Sequence, residues 1–292
     1  MNTTILVTGA TGNFGKLTID FLLKKGIVPA NISALVRDEK KAEDLAAKGI
    51  NIKVGDYDNY DSLLNAFQGI DKLVLVSGTD LANRTSQQLN AVKAAKEAGV
   101  KHILYTSFER KNETETSPIA FLAQSHIATD HAIKASGIKY TIFRNNLYLD
   151  VLPMFLGEQV LESGIYFPAG EGKAAYVSRA DLAEAAAIVL SSEGHENKEY
   201  AMNNIENYAM NDVAQILGTI INKEVPYLNP ISEEYAETLK NAGVPGEYIG
   251  MFAGFGAAIE QGEFETNSSD LEKLLGRNPK TLADFLKEVY LK

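Results

Sequence analysis

Apolar residues along this chain fall into short, unbroken runs, and each run is followed by a longer amphipathic stretch. Residues 5–7 (Ile-Leu-Val), 32–36, 50–54, 73–76, 102–105 and 140–143 read as buried strands, because a strand covered on both faces has no polar alternation. Between them, Phe14, Leu17, Phe21 and Leu22 recur at a helical spacing, and helices are predicted over 41–48, 63–67 and 87–98. Gly26, Gly49, Gly69 and Gly99 follow these stretches as C-terminal stop signals. Strands alternating with helices of this length imply a parallel, doubly wound α/β sheet of the Rossmann type.

The second half is less regular. Helices are expected over 182–190, 211–221 and 270–275, and Pro226, Pro230 and a glycine-punctuated stretch over 243–262 interrupt the pattern. The expected organisation is a dinucleotide-binding core over 1–150. Residues 151–292 then complete the sheet and add a small C-terminal substrate lobe that is not an independent domain.

Composition narrows the function. The 292 residues carry a formal net charge of −10, which disfavours nucleic acid and anionic membranes as partners. Cysteine is absent, and the four histidines show no zinc-like spacing, so neither a disulfide nor a metal site is expected. No apolar run is long enough to span a bilayer. Thr3-Thr4 lead straight into the first strand without a basic flank, so a cytoplasmic location is expected. Small molecules and other proteins remain as partners, and a homodimer stays open.

The chemistry begins at the first strand–helix turn, Gly9-Ala10-Thr11-Gly12-Asn13-Phe14-Gly15. Glycines there permit a tight turn, close approach of the backbone to a pyrophosphate, and helix–strand packing, while the helix N-terminus supplies N–H donors. A dinucleotide fingerprint occupies this place. At the end of the second strand an NAD site usually offers an acidic residue; here Arg37 comes first, with Lys40 and Lys41 behind it, which suits the 2′-phosphate of NADP(H). Asp38 complicates that reading unless it turns outward or caps the following helix. Further candidates lie at successive strand ends, where ligands of open α/β sheets bind: Asp56 and Tyr57 for the adenine, then Ser77-Gly78, Thr106-Ser107, Asn145-Asn146 and Tyr148.

A proton relay is harder to find. No tyrosine has a lysine four residues later, so the Tyr-x-x-x-Lys pair of ordinary short-chain dehydrogenases is missing, which disfavours alcohol–ketone chemistry and sugar epimerisation. His126 is the candidate donor or substrate contact on the helix where such a pair would be sought, and His131, about 500° further round, does not share its face. Phe155, Met251, Phe252 and Phe255 could line a pocket for a flat apolar substrate.

The glycine turn, Val36-Arg37, Gly55-Asp56-Tyr57, the segment from Gly99 to Ser107, Tyr140 to Tyr148 and Glu193 to Lys198 together resemble the NmrA-like group of atypical short-chain dehydrogenases. Within it the chain is similar to NADPH-dependent quinone reductases and triphenylmethane reductases. The resemblance implies an NADPH cofactor, no flavin, and hydride delivery to quinones or cationic dyes. It further implies that Asn13, Phe14 and Arg37 meet the cofactor, with Asn145 and Tyr148 near nicotinamide and substrate. Where quinone-reductase-like members often carry Glu-Lys, this chain has Asp130-His131, so a role for that lysine does not carry over. Hydride transfer to a triarylmethyl cation or a quinone needs no proton from the protein, which accounts for the missing relay. The alternative expectation is a non-catalytic NADP(H)-sensing regulator of the same family.

Overall fold

The alternation of buried faces along each strand builds the architecture. In the computed structural model, which describes residues 3–291, strand β1 (Ile5–Val7) sends Ile5 and Val7 to one face of a sheet and Leu6 to the other. In β2 (Ile32–Val36), Ile32, Ala34 and Val36 likewise join the first core and Leu35 the second. Apolar runs without polar alternation are therefore what this sheet requires, because helices cover both faces.

The first half runs β1, α1 (Asn13–Lys24), β2, α2 (Glu43–Ala47), β3 (Asn51–Val54), α3 (Tyr60–Phe67), β4 (Lys72–Leu75), α4 (Arg84–Glu97), β5 (His102–Phe108), α5 (Ala120–Ser136) and β6 (Lys139–Asn145). The second half continues with α6 (Leu152–Leu156), α7 (Val160–Ser163), β7 (Ile165–Tyr166), β8 (Lys173–Ala174), α8 (Arg179–Ser191), β9 (Lys198–Met202), β10 (Tyr208–Ala209) and α9 (Met210–Ile221). It closes with β11 (Tyr227–Leu228), α10 (Ser232–Asn241), α11 (Gly246–Glu260), α12 (Leu271–Leu275) and α13 (Leu282–Tyr290).

Seven strands form one parallel sheet in the order β3-β2-β1-β4-β5-β6-β9. The order reverses between β1 and β4, and the crevice at that switch point is where such sheets bind ligands. Helices α1, α8 and α12 pack on one face, and α3, α4 and α5 on the other. A separate apolar core lies in the second half, where Phe155, Phe167, Tyr176, Leu217, Phe264 and Leu286 pack together. Two-stranded pairs, β10 with β8 and β11 with β7, belong to this part.

Three differences from the sequence reading bear on function. The sheet has a seventh strand, β9, which the sequence reading did not pick out; its residues Lys198–Met202 are largely exposed or half-buried and so lack an apolar run. Strands β5 and β6 extend to Phe108 and Asn145, beyond the expected ends at 105 and 143, which moves Thr106, Ser107 and Asn145 into the sheet itself. Helix α4 begins at Arg84, three residues before the expected 87, which puts a buried arginine in its first turn.

Candidate nucleotide and acceptor site

The turn after β1 is built as a cradle. Gly9 has φ +57°, in the left-handed region that glycine enters without strain, and its carbonyl accepts the Gly12 N–H at 2.9 Å. A Cβ on Gly15 would lie 2.4 Å from the Gly9 carbonyl oxygen, so no side chain fits where α1 meets the turn. Gly12 is the N-cap of α1, no side chain caps the helix, and its first turn contains no acidic residue. Thr11, Gly12 and Asn13 are exposed, which leaves the helix N–H groups open to an anion. Phe14 is buried and belongs to the core on the α1 face of the sheet.

At the end of β2, Arg37, Lys40 and Lys41 are all exposed. Asp38 caps the short helix beginning at Glu39, its Oδ1 accepting the Lys40 N–H at 3.0 Å.

Side chains from β3, β4 and β5 knit the floor of the crevice. The Tyr57 hydroxyl donates to the Val76 carbonyl at 2.9 Å and sits 2.5 Å from Thr8 Oγ1, which donates to the Val74 carbonyl at 3.1 Å and accepts the Val76 N–H at 2.8 Å. Burial raises the Tyr57 pKa far above the usual tyrosine value, so this hydroxyl stays protonated. Tyr57 therefore fastens the ends of β1 and β4, and only its ring is left for a ligand. Asp56 accepts the Asp58 N–H at 3.0 Å in a local turn. Thr106 Oγ1 accepts the Ser77 N–H at 2.9 Å, and Gly78 follows, half-buried, at the rim. Ser107 departs from its expected place. Its hydroxyl points into the protein and donates to Asp130 at 3.0 Å, and the same carboxylate oxygen takes the Arg110 guanidinium at 2.8 Å.

Asn145, the last residue of β6, is fully buried; its amide donates to the Tyr148 hydroxyl at 3.1 Å, and its Oδ1 has no partner. A buried carbonyl oxygen without a donor is costly, and an amide-bearing ligand would supply one. The Tyr148 ring lies under the Arg179 guanidinium at 4.7 Å, and burial raises the pKa of its hydroxyl.

His126, on α5, has 2% of its surface exposed and offers no free ring nitrogen. Nε2 is 2.6 Å from Nη2 of Arg84, and Nδ1 is 2.8 Å from the Tyr105 hydroxyl. Burial, reinforced by Arg84 and Arg110, holds the imidazole pKa well below its ordinary value, so the ring is neutral. The expectation that His126 itself faces a ligand is corrected by this geometry; it is a buried support for Arg84. His131 is exposed and belongs to no such cluster.

An aromatic wall leads from here into the second half. Phe108 stacks on His126 at 5.7 Å and meets Phe255 edge-on at 6.4 Å, while Phe155 contacts Phe252 and Phe255. Met251 is half-buried on the same helix.

The NmrA-like family model matches residues 1–286. This chain belongs to the NmrA-like family. It is 38% identical to quinone oxidoreductase 2 of Escherichia coli over 98% of both chains. Two solved structures share its fold closely. The triphenylmethane reductase of Citrobacter sp. complexed with NADP(H) superposes with a TM-score of 0.89 at 40% identity, covering 98% of this chain and 99% of that one. The NADPH-dependent quinone oxidoreductase of E. coli complexed with NADPH gives 0.90 at 35% identity, covering 98% and 100%.

The Rossmann-type sheet and the family membership are thus as the sequence implied. The fold gathers Gly9, Thr11, Gly12, Asn13, Arg37, Tyr57, Ser77, Thr106, Asn145 and Tyr148 at the carboxyl edge of the sheet. Sequence reasoning missed Thr8, Arg84, Tyr105 and Arg179. A threonine just after an apolar strand, a tyrosine within one, and arginines at helix starts carry no motif. Among the described residues no three His, Cys, Asp or Glu side chains converge as a metal centre would require, and no helix is long and apolar enough to cross a membrane.

Proposed function

We propose that this chain is an NADPH-dependent oxidoreductase that reduces flat, electron-poor organic acceptors such as quinones or triarylmethane dyes. The observation that carries the reading is the side-chain-free cradle at Gly9, Gly12 and Gly15 beneath an uncapped helix N-terminus, at the point where strand order reverses. The unpartnered Asn145 Oδ1 at the far side of the same crevice supports it.

NADPH, when bound, supplies the hydride. Thr11, Gly12 and Asn13 would hold its pyrophosphate through backbone N–H groups. Arg37, with Lys40 and Lys41, would hold the 2′-phosphate, with Asp38 engaged as a helix cap. Asp56, the Tyr57 ring, Ser77, Gly78 and Thr106 would line the path between. Asn145 would accept an amide N–H and orient the ring beside Tyr148.

The remaining work is positioning. Phe252 and Phe255, half-buried and packed on the buried rings of Phe108 and Phe155, would line the acceptor side and exclude water, and holding two planar partners face to face is worth about 7 kcal/mol or more. Tyr105 and Tyr148 keep their protons, as burial raises both. Neither needs to yield one when solvent can protonate the product.

The test is NADPH oxidation followed at the nicotinamide absorbance with a panel of quinones and triarylmethane dyes and an NADH control. Turnover favouring NADPH is the expected result. Tight NADPH binding without turnover overturns the reductase reading in favour of an NADP(H)-sensing regulator, which should distinguish oxidised from reduced cofactor and bind a protein partner.

A further inference from the structure

Arg84 is the first residue of α4, at the carboxyl edge of the sheet, and 5% of its surface is exposed. A buried arginine is ordinarily matched by a carboxylate. Arg110 follows that rule with Asp130 at 2.8 Å, and half-exposed Arg277 with Asp181 at 2.7 Å. Arg84 forms no ion pair among the described residues, and its Nε has no hydrogen-bond partner at all.

What holds Arg84 is neutral. A guanidinium only donates, so His126 Nε2 must accept and Nδ1 must carry the ring proton. Nδ1 then donates to the Tyr105 hydroxyl, which donates to Gln88 Oε1 at 3.3 Å, and Gln88 Nε2 donates to Thr129 Oγ1 at 3.0 Å. Every hydrogen in this relay is placed and no negative charge enters it. The nearby carboxylates are otherwise engaged or exposed: Asp130 is held by Arg110, and Asp150 is on the surface accepting the Arg179 N–H. His126, which touches Arg84, stacks on Phe108 at 5.7 Å, and Phe108 meets Phe255 edge-on at 6.4 Å, so the uncompensated charge lies at the base of the aromatic wall that leads into the second half.

We propose that Arg84, held in place by His126, is an anion subsite of the acceptor pocket, taking the oxygen on which negative charge collects and selecting neutral acceptors that end as anions, quinones above all, over cationic triarylmethane dyes. The proposal rests on the reductase reading and deepens it. As the donor C–H bond of NADPH breaks, the hydride forms an O–H bond at one quinone oxygen, NADP+ is left, and the displaced carbonyl π electrons pass through the ring to the far oxygen. The product is a hydroquinone monoanion, which a solvent proton then completes. A preorganised buried cation is worth most where charge of opposite sign develops. A triarylmethyl cation, by contrast, brings positive charge toward Arg84 and ends neutral, so the guanidinium opposes its binding and gives nothing to its reduction.

The experiment uses 4-nitrophenol as a chromophoric anion probe, titrated against the whole protein without NADPH while phenolate absorbance is followed with pH. Bound nitrophenol is expected to ionise at lower pH than free nitrophenol, less so in Arg84→Lys and not at all in Arg84→Met. In steady-state assays the ratio of kcat/KM for a neutral quinone to that for a cationic dye should fall roughly 100-fold in Arg84→Met, with partial rescue in Arg84→Lys. Nitrophenol that fails to bind, or that ionises as it does in free solution, overturns the subsite, as does an unchanged quinone-to-dye ratio. If Arg84→Met does not fold, the wild-type titration and Arg84→Lys still decide. Early nitrophenol ionisation without NADPH oxidation by any acceptor would leave the subsite standing and sink the reductase reading; the opposite pair of results would sink the subsite alone.

Discussion

Oδ1 of Asp38 accepts the backbone N–H of Lys40 at 3.0 Å, and this bond turns the one carboxylate that directly follows Arg37 into a helix cap. Arg37 is exposed at the strand end and forms no ion pair among the described residues. Replacing Arg37 with Ala should weaken NADPH binding roughly 10- to 100-fold, the range for losing charge-assisted hydrogen bonds, while NADH binding hardly changes. Fluorescence titration of both cofactors measures this. Equal losses for the two would mean that Arg37 does not read the 2′-phosphate.

Gly15 tests the cradle. A methyl group there meets the Gly9 carbonyl oxygen at 2.4 Å, a contact only backbone movement can relieve. Gly15→Ala should cost about 1–3 kcal/mol of stability by overpacking and abolish measurable NADPH binding. A variant that binds NADPH normally would show that the turn is not where the pyrophosphate sits.

Tyr148 tests the absence of an enzyme-derived proton. Its hydroxyl accepts from Asn145 at 3.1 Å, and burial raises its pKa. A general acid contributes roughly 100-fold or more to rate. Tyr148→Phe should therefore keep kcat for quinone reduction within about tenfold of wild type, as expected for a residue that only orients. A larger fall, with a lost ionisation in the pH profile, would restore the proton-donor role.

His102 predicts acid sensitivity. It is 5% exposed, bonded to Thr141 Oγ1 at 2.9 Å, and burial, assisted by Lys72, pulls its pKa from 6.5 down to about 4. The unfolded chain takes up a proton near pH 6.5 and the folded chain only near 4, so this contribution is intact above 6.5 and is lost as pH falls toward 4. At pH 5 the loss amounts to about 2 kcal/mol relative to pH 7. Urea unfolding at both pH values should show a smaller decline in His102→Asn than in wild type. An identical decline would remove His102 from the account. His126, depressed in the same direction, adds to the wild-type slope.

Much of this molecule is local, and local features are legible in a sequence. The runs at 5–7, 32–36 and 102–105 are buried because helices lie on both sides of them, and the glycines of the first turn are dictated by a φ of +57° at Gly9 and a contact at Gly15 that admits no Cβ. Strand β9 escaped because its half-exposed residues carry no apolar run, although it pairs with β6 along its whole length. Ser107 lies inside β5 rather than at its end and Phe14 lies in the first turn of α1, and both are buried, since strand ends and first helical turns present both a lined face and a packed one.

The sequence alone determined the doubly wound sheet and the glycine-rich turn, because each is written in spacing over a few neighbouring residues, and it implied the family through motifs spread along the chain. Only the tertiary structure decided that Arg84 is buried without an ion pair among the described residues and that His126 contacts it. The three groups come from α4, β5 and α5, with His126 separated from Arg84 by 42 residues and from Tyr105 by 21. Whether a charge is buried, and whether a carboxylate lies opposite it, depends on which elements pack together, and no local pattern of polar and apolar residues encodes that.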